Sequence, residues 1–304
     1  MGTVGTGPDE VAGERRQLLN VAYRLLGSIT EAEDAVQDAY ARWYGLSRSR
    51  REEILSPGAW LTTVTSRICL DVLGSARARR ERYVGMWLPE PVPDRAEGGR
   101  SSAGPAGHAD PADQIVLDDS VTMAFLVVLE SMTPAERVAF VLHDVFRYPF
   151  AEIALVLGRT PPACKQLAAS ARRRVSVPYT RVAATGRAEV VRRVKTAWEA
   201  KDIAALVGLL DPAAVMTADG GGAAGAALRP VEGGPRIAQY MAVFADRAPG
   251  LELLERSVNG APGLVAVHAG VVMTVASFDV EDGRVTRIWA VRNPEKLRPW
   301  ASAS

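Results

Sequence analysis

The hydrophobic pattern of this chain changes once, and that change most constrains the fold. Up to about residue 210, apolar residues recur mainly at helical spacing, as in the run from 18 to 26. From 251 to 292 the sequence instead contains strands separated by turn signals at Asn259-Gly260 and Asp282-Gly283. Helices followed by hairpin strands predict helical domains and then an α+β domain with an antiparallel sheet.

A stretch rich in proline, glycine and serine divides the helical part. Residues 84–113 contain Pro89, Pro91 and Pro93, and then a Gly/Ser/Ala run that buries too little apolar surface to order itself. A length of 304 residues favours two or three domains. We therefore expect a helical domain at 10–83, a flexible linker at 84–113, a second helical domain at 114–177 and an α+β domain at 186–304.

The strongest chemical signal is a helix, a tight turn and a second helix between residues 150 and 174. Gly158 permits the left-handed turn. Lys165, Gln166 and Ser170 follow one side of the second helix, which would place them at base edges in a DNA major groove. The helix ends in Arg172, Arg173 and Arg174, which suit phosphates. An αα-hairpin with a solvated basic end would give the same pattern, so the pattern alone leaves both interpretations open.

Two further surfaces are charged but less specific. A helix that starts after the Ser56-Pro57 signal carries Trp60 and Arg67 and ends in the arginines Arg77, Arg79 and Arg80. An earlier helix, expected to start at a capping box of Thr30 and Glu33, exposes Asp34, Gln37 and Asp38. A second capping box, Thr133 with Glu136, predicts a helix start in the second helical domain. A formal net charge of +1 gives no support for nucleic-acid binding, whereas local arginine clusters do.

Three segments resemble extracytoplasmic-function sigma factors of bacterial RNA polymerase. Glu31 to Tyr40 is similar to their core-polymerase-binding helix. Trp60-Leu61 with Arg67 and Asp71 resembles their minus-ten helix, and Leu129 to Arg174 resembles their minus-thirty-five domain. The resemblance implies two all-α sigma domains, the second with a helix–turn–helix, that direct core polymerase to promoter DNA.

The resemblance also implies roles for particular residues. Asp34, Gln37 and Asp38 would dock on polymerase. The loop 46–56 with Trp60 and Arg67 would hold a flipped base of the melted minus-ten strand, where stacking and cationic contacts suit a single strand. The other expected DNA-binding residues are Arg77, Arg79, Arg80, Lys165, Gln166, Ser170, Arg172, Arg173 and Arg174.

The last third resembles a cone-shaped SnoaL-like domain, which one branch of these sigma factors carries. The resemblance is carried by Trp87–Pro91, Asp219–Gly222 and Asn293–Leu297, although Ala223 stands where the family loop continues with lysine. It implies a domain that replaces a separate anti-sigma protein and regulates the sigma domains in cis. The regulatory residues would be Trp87, Leu88, Asp219, Gly220, Gly221, Gly222, Asn293, Pro294, Lys296 and Leu297.

Two alternatives for the C-terminal domain stay open at this point. It could be an isomerase or cyclase with Asp219, His268 and Asp279 as titratable residues, or a sensor of a small ligand. We favour a non-enzymatic sigma factor with no cofactor and no metal, in which Cys69 and Cys164 are reduced packing residues. The chain shows neither a signal peptide nor a membrane segment, so we expect a soluble, cytoplasmic protein.

Overall fold

The computed structural model describes residues 11, 13–80, 83–94, 115, 121–175, 184–222 and 225–301, without the side chains of 76–80 and 184–185. The chain separates into two compact units. The helical unit lies within Met1–Ala78, Ala103–Val116 and Val128–Val177, and the sheet unit lies within Arg79–Ser102, Leu117–Val127 and Pro178–Ser304. Each unit is described below by itself.

The helices up to residue 175 are short or medium in length, apart from one. They are α1 Arg15–Leu26, α2 Ile29–Tyr44, α3 Arg48–Glu52, α4 Pro57–Arg80, α5 Met123–Glu130, α6 Pro134–Phe140, a π-helical turn Val141–Val145, α7 Phe150–Leu157 and α8 Pro161–Val175. In the helical unit, α1 buries almost its whole second half, because Leu18, Leu19, Leu25 and Leu26 all point into the core.

The caps of these helices follow the sequence signals with one exception. Thr133 and Glu136 form the predicted capping box at the start of α6, and Gly158 ends α7 with φ 62°. The expected start of α2 at Thr30 is wrong. Ser28 is the N-cap, since its backbone is extended and its hydroxyl accepts a hydrogen bond from the Glu31 amide at 3.3 Å.

The segment 46–56, expected to be a loop, contains the short helix α3. Ser47 caps it by accepting a hydrogen bond from the Arg50 amide at 3.3 Å. Two exposed ion pairs, Arg48–Glu52 and Arg50–Glu53, connect neighbouring turns. The spacing of charges and the serine cap therefore favour a helical turn over an irregular loop.

The sheet unit has the α+β fold predicted from the change of hydrophobic pattern. Its elements are α9 Ala184–Glu199, α10 Ile203–Leu209, β1 Leu210–Asp219, β2 Val231–Glu232, α11 Gly234–Arg247, β3 Glu252–Val258, β4 Ala261–His268, β5 Val271–Glu281, β6 Arg284–Val291 and a 3-10 turn Arg298–Trp300. The sheet is open, with strand order β2-β1-β6-β5-β4-β3.

The strands from β3 to β6 form consecutive antiparallel hairpins, as predicted. Asn259 and Gly260 have φ 54° and 72°, and Asp282 and Gly283 have φ 49° and 75°, which are the left-handed conformations of tight hairpin turns. A third turn at Ala269-Gly270 has the same signature. The pair β1–β6 is parallel, which a hairpin pattern does not predict, because parallel neighbours need a long connection.

Both faces of this sheet are covered. One face packs against α9, α10 and α11 through a core that includes Val194, Leu206, Ile237, Phe278 and Ile288. The opposite face is covered within the sheet unit by Leu88, Met123, Leu297 and Trp300. Among the described residues, no helix combines the length and the apolar character needed to cross a bilayer.

Candidate functional site

The second helix of the helix–turn–helix presents two polar side chains to solvent. Lys165 and Gln166 are exposed in the first half of α8, while Cys164, Ala168 and Ala171 form its buried side. The helix is capped by Thr160, whose hydroxyl accepts from the Ala163 amide at 3.4 Å. This arrangement leaves the N-terminal part of α8 accessible, as readout of a major groove requires.

Ser170 does not belong to that exposed side, which corrects the expectation from spacing. Its hydroxyl donates to Glu136 Oε1 at 2.7 Å, and the side chain is half-buried. The carboxylate of Glu136 also accepts from the Thr133 amide and hydroxyl at 3.0 and 2.9 Å. Although burial opposes the charge, these hydrogen bonds and the nearby Arg174 lower the pKa of Glu136. Ser170 therefore holds α8 against α6 and does not face bases.

The three terminal arginines of α8 have different environments. Arg172 forms a two-point contact with Asp144, at 2.6 and 3.1 Å. Arg174 donates to the Ser131 carbonyl at 2.9 Å and lies 3.7 Å from Glu136. Arg173 is exposed to solvent. The prediction of three phosphate-binding arginines is therefore best supported for Arg173, since the other two are engaged within the domain.

The acidic surface of α2 lies opposite its core face. Asp34, Gln37 and Asp38 are exposed at spacings of three and one, so they share one side of the helix. Ala32, Ala35, Val36 and Ala39 are buried on the other side. Exposed carboxylates in this position suit a basic protein partner better than DNA, because they would repel phosphates.

The helix α4 carries the residues expected to contact the minus-ten element. Trp60 is half-buried, and its ring lies 5.3 Å from the ring of Trp43. Arg67 is exposed, but its Nη2 donates to the Leu155 carbonyl of α7 at 2.6 Å. The side chains of Arg77, Arg79 and Arg80 lie outside the described part of the chain.

Further contacts within the helical unit join the N-terminal helices to the helices after residue 128. Arg137 is buried and donates to the Leu25 carbonyl at 2.9 Å and to Glu130 at 2.7 Å. The hydroxyl of Tyr148 lies 2.7 Å from Gln17 Nε2 and 3.2 Å from the hydroxyl of Thr62. Because Arg137 is charged and buried, removing the Glu130 carboxylate would take away the negative charge that compensates its burial.

A second cluster, in the sheet unit, is centred on the carboxylate of Asp219 at the end of β1; we call it the Asp219 cluster. Asp219 is fully buried. Its Oδ1 accepts from Tyr83 at 2.6 Å and from the Gly221 amide at 3.1 Å. Its Oδ2 accepts from the Leu88 amide at 2.9 Å and from Lys296 Nζ at 2.7 Å. All four donors converge on one charge, which compensates its burial.

Lys296 closes this cluster from the other side. Its Nζ also donates to the Leu88 carbonyl and lies 4.1 Å from the centre of the Trp87 ring. Burial and the hydrogen bond to Asp219 raise the pKa of Tyr83. Asn293 donates to the Tyr83 hydroxyl at 2.9 Å, and a Cβ on Gly221 would lie 2.7 Å from the Asn293 side chain. Glycine is therefore required at 221, where φ is also 63°.

Hydrogen bonds extend this attachment along the segment 83–94. Trp300 Nε1 donates to the Pro91 carbonyl at 2.9 Å. Asn259 pairs with Val92 in both directions, at 2.9 Å through its amide and 3.1 Å through its side-chain oxygen. Leu88 and Val92 are buried. The structure thus brings together the three segments singled out in the sequence: 87–91, 219–222 and 293–297.

Comparison with known proteins decides the family. The family descriptions "Sigma-70 region 2" and "Sigma-70, region 4" match residues 11–80 and 122–175. The ECF RNA polymerase sigma factor SigJ of Mycobacterium tuberculosis is 38% identical over 93% of this chain and 90% of its own. This chain belongs to the extracytoplasmic-function RNA polymerase sigma factors. SigI of the same organism is 34% identical over 94% of this chain and 92% of SigI.

The structural comparison extends over the whole sigma factor. The crystal structure of M. tuberculosis SigJ aligns with a TM-score of 0.74 and 36% identity, covering 96% of this chain and 99% of that one. The sigma factor therefore has two helical sigma domains followed by a sheet-containing domain. Regions 2 and 4 support its role in promoter-directed initiation of transcription by RNA polymerase.

The three residues considered for an enzyme in this sigma factor do not share a site. His268 pairs with Val271 at one end of β5, whereas Asp279 lies eight residues further along the same strand, about 26 Å away. The carboxylate of Asp219 is fully buried and already accepts hydrogen bonds from the Leu88 amide and Lys296. Within the described ranges, no group of three His, Cys, Asp or Glu could hold a metal. Cys69 and Cys164 are free and buried, and burial raises the pKa of both thiols.

Three contributors to these sites were not identified from the sequence. Tyr83 stands at the end of a basic run, Asn259 was interpreted only as a turn residue, and Glu136 only as a helix cap. The signal for Glu136 was partly present, since a capping box fixes its position. The partners of Tyr83 and Asn259 are 136 and 167 residues away in sequence, so local patterns could not reveal them.

Proposed function

We propose that this sigma factor is controlled in cis: its helical unit must open before it can read a promoter, and its C-terminal domain sets how readily it does so. The observation that carries the first half is the hydrogen bond from Arg67 to the Leu155 carbonyl. It joins the helix expected to contact the minus-ten element to the helix–turn–helix expected to read the minus-thirty-five element.

The promoter geometry is incompatible with that contact. The two elements are separated by about 25 base pairs, which is about 85 Å of duplex at 3.4 Å per step. Two reading surfaces joined by a direct hydrogen bond cannot span such a distance. The contacts of Arg137 with Leu25 and of Tyr148 with Gln17 and Thr62 would have to break as well. The arrangement in the helical unit is therefore proposed to be the inactive one.

The second half of the proposal rests on the Asp219 cluster. The segment 83–94 directly follows the sequence of region 2, and in the sheet unit it is attached through Tyr83, Leu88 and Pro91. A covalently linked domain acts at high effective concentration, so modest contacts suffice to shift a conformational equilibrium. We therefore propose that the C-terminal domain regulates the sigma regions, performs no catalysis and makes a separate anti-sigma protein unnecessary.

Opening can be measured by energy transfer between dyes at the exposed positions Asp71 in α4 and Arg159 after α7. We expect high transfer in the free protein and low transfer with core polymerase and promoter DNA. Dyes at Arg16 and Asp71, both exposed and within region 2, serve as the control pair, and the transfer between them should not change. Equal transfer in the free and bound states would contradict the opening.

Regulation can be tested from the linker side, which leaves the residues of the C-terminal domain intact. Tyr83→Phe combined with Leu88→Ala removes one hydrogen bond and one buried side chain from the attachment. Transcription in a purified system should change relative to the full chain, in the same direction as after truncation following Val177. Val84→Ala, at an exposed position of the same segment, is the matched control. Unchanged transcription in both the double variant and the truncation would reject cis-regulation.

The remaining proposal assigns contact residues. Asp34, Gln37 and Asp38 bind core polymerase, Lys165 and Gln166 read the minus-thirty-five duplex, and Arg67 with Trp60 binds the melted minus-ten strand. Asp38→Arg should prevent assembly with core polymerase, because a charge reversal at a charge-complementary contact costs several kcal/mol. Asp71→Arg, on the exposed side of α4, is a charge-matched comparison. Normal assembly by Asp38→Arg would contradict the polymerase assignment.

A further inference from the structure

A cavity between the sheet and its helices lies apart from the residues of the helix–turn–helix and of the Asp219 cluster. Its inner chamber has a volume of about 30 Å³ and is lined by apolar side chains from β1, β5, β6, α9 and α11. Tyr240, Phe244 and Arg292 line this chamber and also an adjacent outer basin of about 570 Å³. A basin of this size is typical of small-molecule sites.

The floor of the inner chamber is built from small residues in register. Ala218 of β1 pairs with Ala290 of β6, and Ala276 of β5 pairs with the same Ala290. Larger residues at these positions would fill the space, since the side chains of Trp198, Met241 and Phe278 already enclose it. The chamber therefore admits only the end of a narrow apolar group, such as the terminal methyl of a short acyl chain or the edge of a flat ring, and the rest of the ligand would lie in the outer basin.

Two polar groups at the chamber have unused hydrogen-bonding capacity. Thr274 is only 4% exposed, and its hydroxyl has no hydrogen-bond partner among the described residues. The same is true of the buried Nε of Arg292. Val275 pairs with Val291, so Thr274 and Arg292 occupy adjacent positions on neighbouring strands. Buried polar groups normally have partners, and a bound ligand would supply them here.

The charged residues that line the outer basin indicate that the ligand is an anion. Its charged lining residues, among those described, are three arginines: Arg236 and Arg247 from α11, and Arg292. The Arg292 guanidinium is placed 4.7 Å from the centre of the Phe244 ring, where the aromatic wall orients it. Guanidinium groups bind carboxylates and phosphates in a two-point geometry, and the apolar chamber beside them favours a carboxylate attached to an apolar group.

We propose that this cavity binds a small apolar carboxylate. Its apolar part would lie over Ala218, Ala276 and Ala290, and its carboxylate would accept hydrogen bonds from Arg292 and Thr274. Arg236 and Arg247 would add long-range attraction at the entrance. The ligand site is distinct from the earlier expectation of a pocket near Asp219 and His268, neither of which lines the cavity.

Calorimetric titration of the full-length protein with octanoate, and with octanamide as its neutral counterpart, tests the proposal. We expect octanoate to bind at least about tenfold more tightly, because charge-assisted hydrogen bonds are stronger than neutral ones. Arg292→Met should remove that preference, while Arg284→Met, at an exposed arginine at the start of β6, should keep it. 2-Naphthoate with 2-naphthamide is a second pair for a ring-shaped ligand.

Two further variants change the site without removing an arginine, so that the test does not depend on the folding of Arg292→Met. Ala290→Leu should fill the chamber and abolish binding of both octanoate and octanamide. Thr274→Val keeps the side-chain shape and should weaken octanoate more than octanamide, because the hydrogen bond to a carboxylate is the stronger one. The proposal is overturned if neither carboxylate binds, if each binds no better than its amide, or if binding is unaffected by Arg292→Met. Polymerase and DNA are absent from this measurement, so its outcome is independent of cis-regulation.

Discussion

The recognition helix α8 and the Asp219 cluster both depend on charged residues, yet they use them in opposite ways. On α8, Lys165, Gln166 and Arg173 are exposed, while Arg172, Arg174 and Ser170 hold the helix in place. In the Asp219 cluster, the fully buried carboxylate of Asp219 and the nearly buried Lys296 form an ion pair. The comparison teaches that charge alone does not show how a side chain is used, because Arg174 is exposed and yet hydrogen-bonded within its domain, whereas Asp219 and Lys296 are buried as an ion pair.

The largest effect is expected in the Asp219 cluster. Lys296→Met leaves the buried Asp219 carboxylate without its counter-ion, so the free energy of unfolding of the sheet unit should fall by about 3–5 kcal/mol. Urea titration measures this loss. Lys195→Met breaks a partly exposed ion pair with Glu199 and should cost less than about 1 kcal/mol.

Adding Asp219→Asn to Lys296→Met sharpens that prediction. The double variant has no buried charge, so it should recover much of the stability lost in the single variant. Additive losses in the two single variants and the double variant would mean that the two charges do not depend on each other.

At the exposed part of α8, a substitution should change DNA-binding preference and leave the free energy of unfolding unchanged. Gln166→Ala should relax preference at one promoter position by about 1–3 kcal/mol. Binding to a panel of single-base variants of a minus-thirty-five element measures this effect. Arg159→Ala, exposed in the turn before α8, is the comparison variant. An unchanged preference profile in Gln166→Ala would remove this residue from base readout.

Ser170 tests the same comparison within a single helix. Ser170→Ala removes the hydrogen bond to Glu136, so the free energy of unfolding should fall by about 1 kcal/mol while promoter preference is retained. Thermal unfolding and the same promoter panel provide the two readouts. If promoter preference changed and thermal stability did not, Ser170 would contact bases, as its spacing in the sequence first indicated.

The smallest effect is expected at Arg173. Arg173→Ala should weaken binding to all DNA sequences alike and reduce the slope of log affinity against log salt by about 0.9, as loss of one phosphate contact predicts. The free energy of unfolding should not change. Arg172→Ala is the opposite control: it breaks the contact with Asp144 and should act mainly on stability. An unchanged salt slope in Arg173→Ala would contradict the phosphate contact.

Local sequence signals were sufficient where a structure depends on neighbouring residues. The capping box at Thr133, the left-handed turn at Gly158 and the hairpins at Asn259 and Asp282 were all predicted. They depend on backbone conformations that nearby side chains select. The start of α2 was misplaced by two residues because Ser28 and Thr30 are both good caps, each followed by a glutamate three residues later, so the local signal fits both.

The sequence by itself therefore determined the order of helical and sheet domains, the helix–turn–helix and, through resemblance, the sigma-factor family. Only the tertiary structure decided which charged side chains are buried. It turned Ser170 toward Glu136, closed the Asp219 cluster around Tyr83 and Lys296, and left Thr274 and Arg292 at a cavity. The physical reason is that burial and charge pairing depend on contacts between residues distant in sequence, which no local pattern encodes.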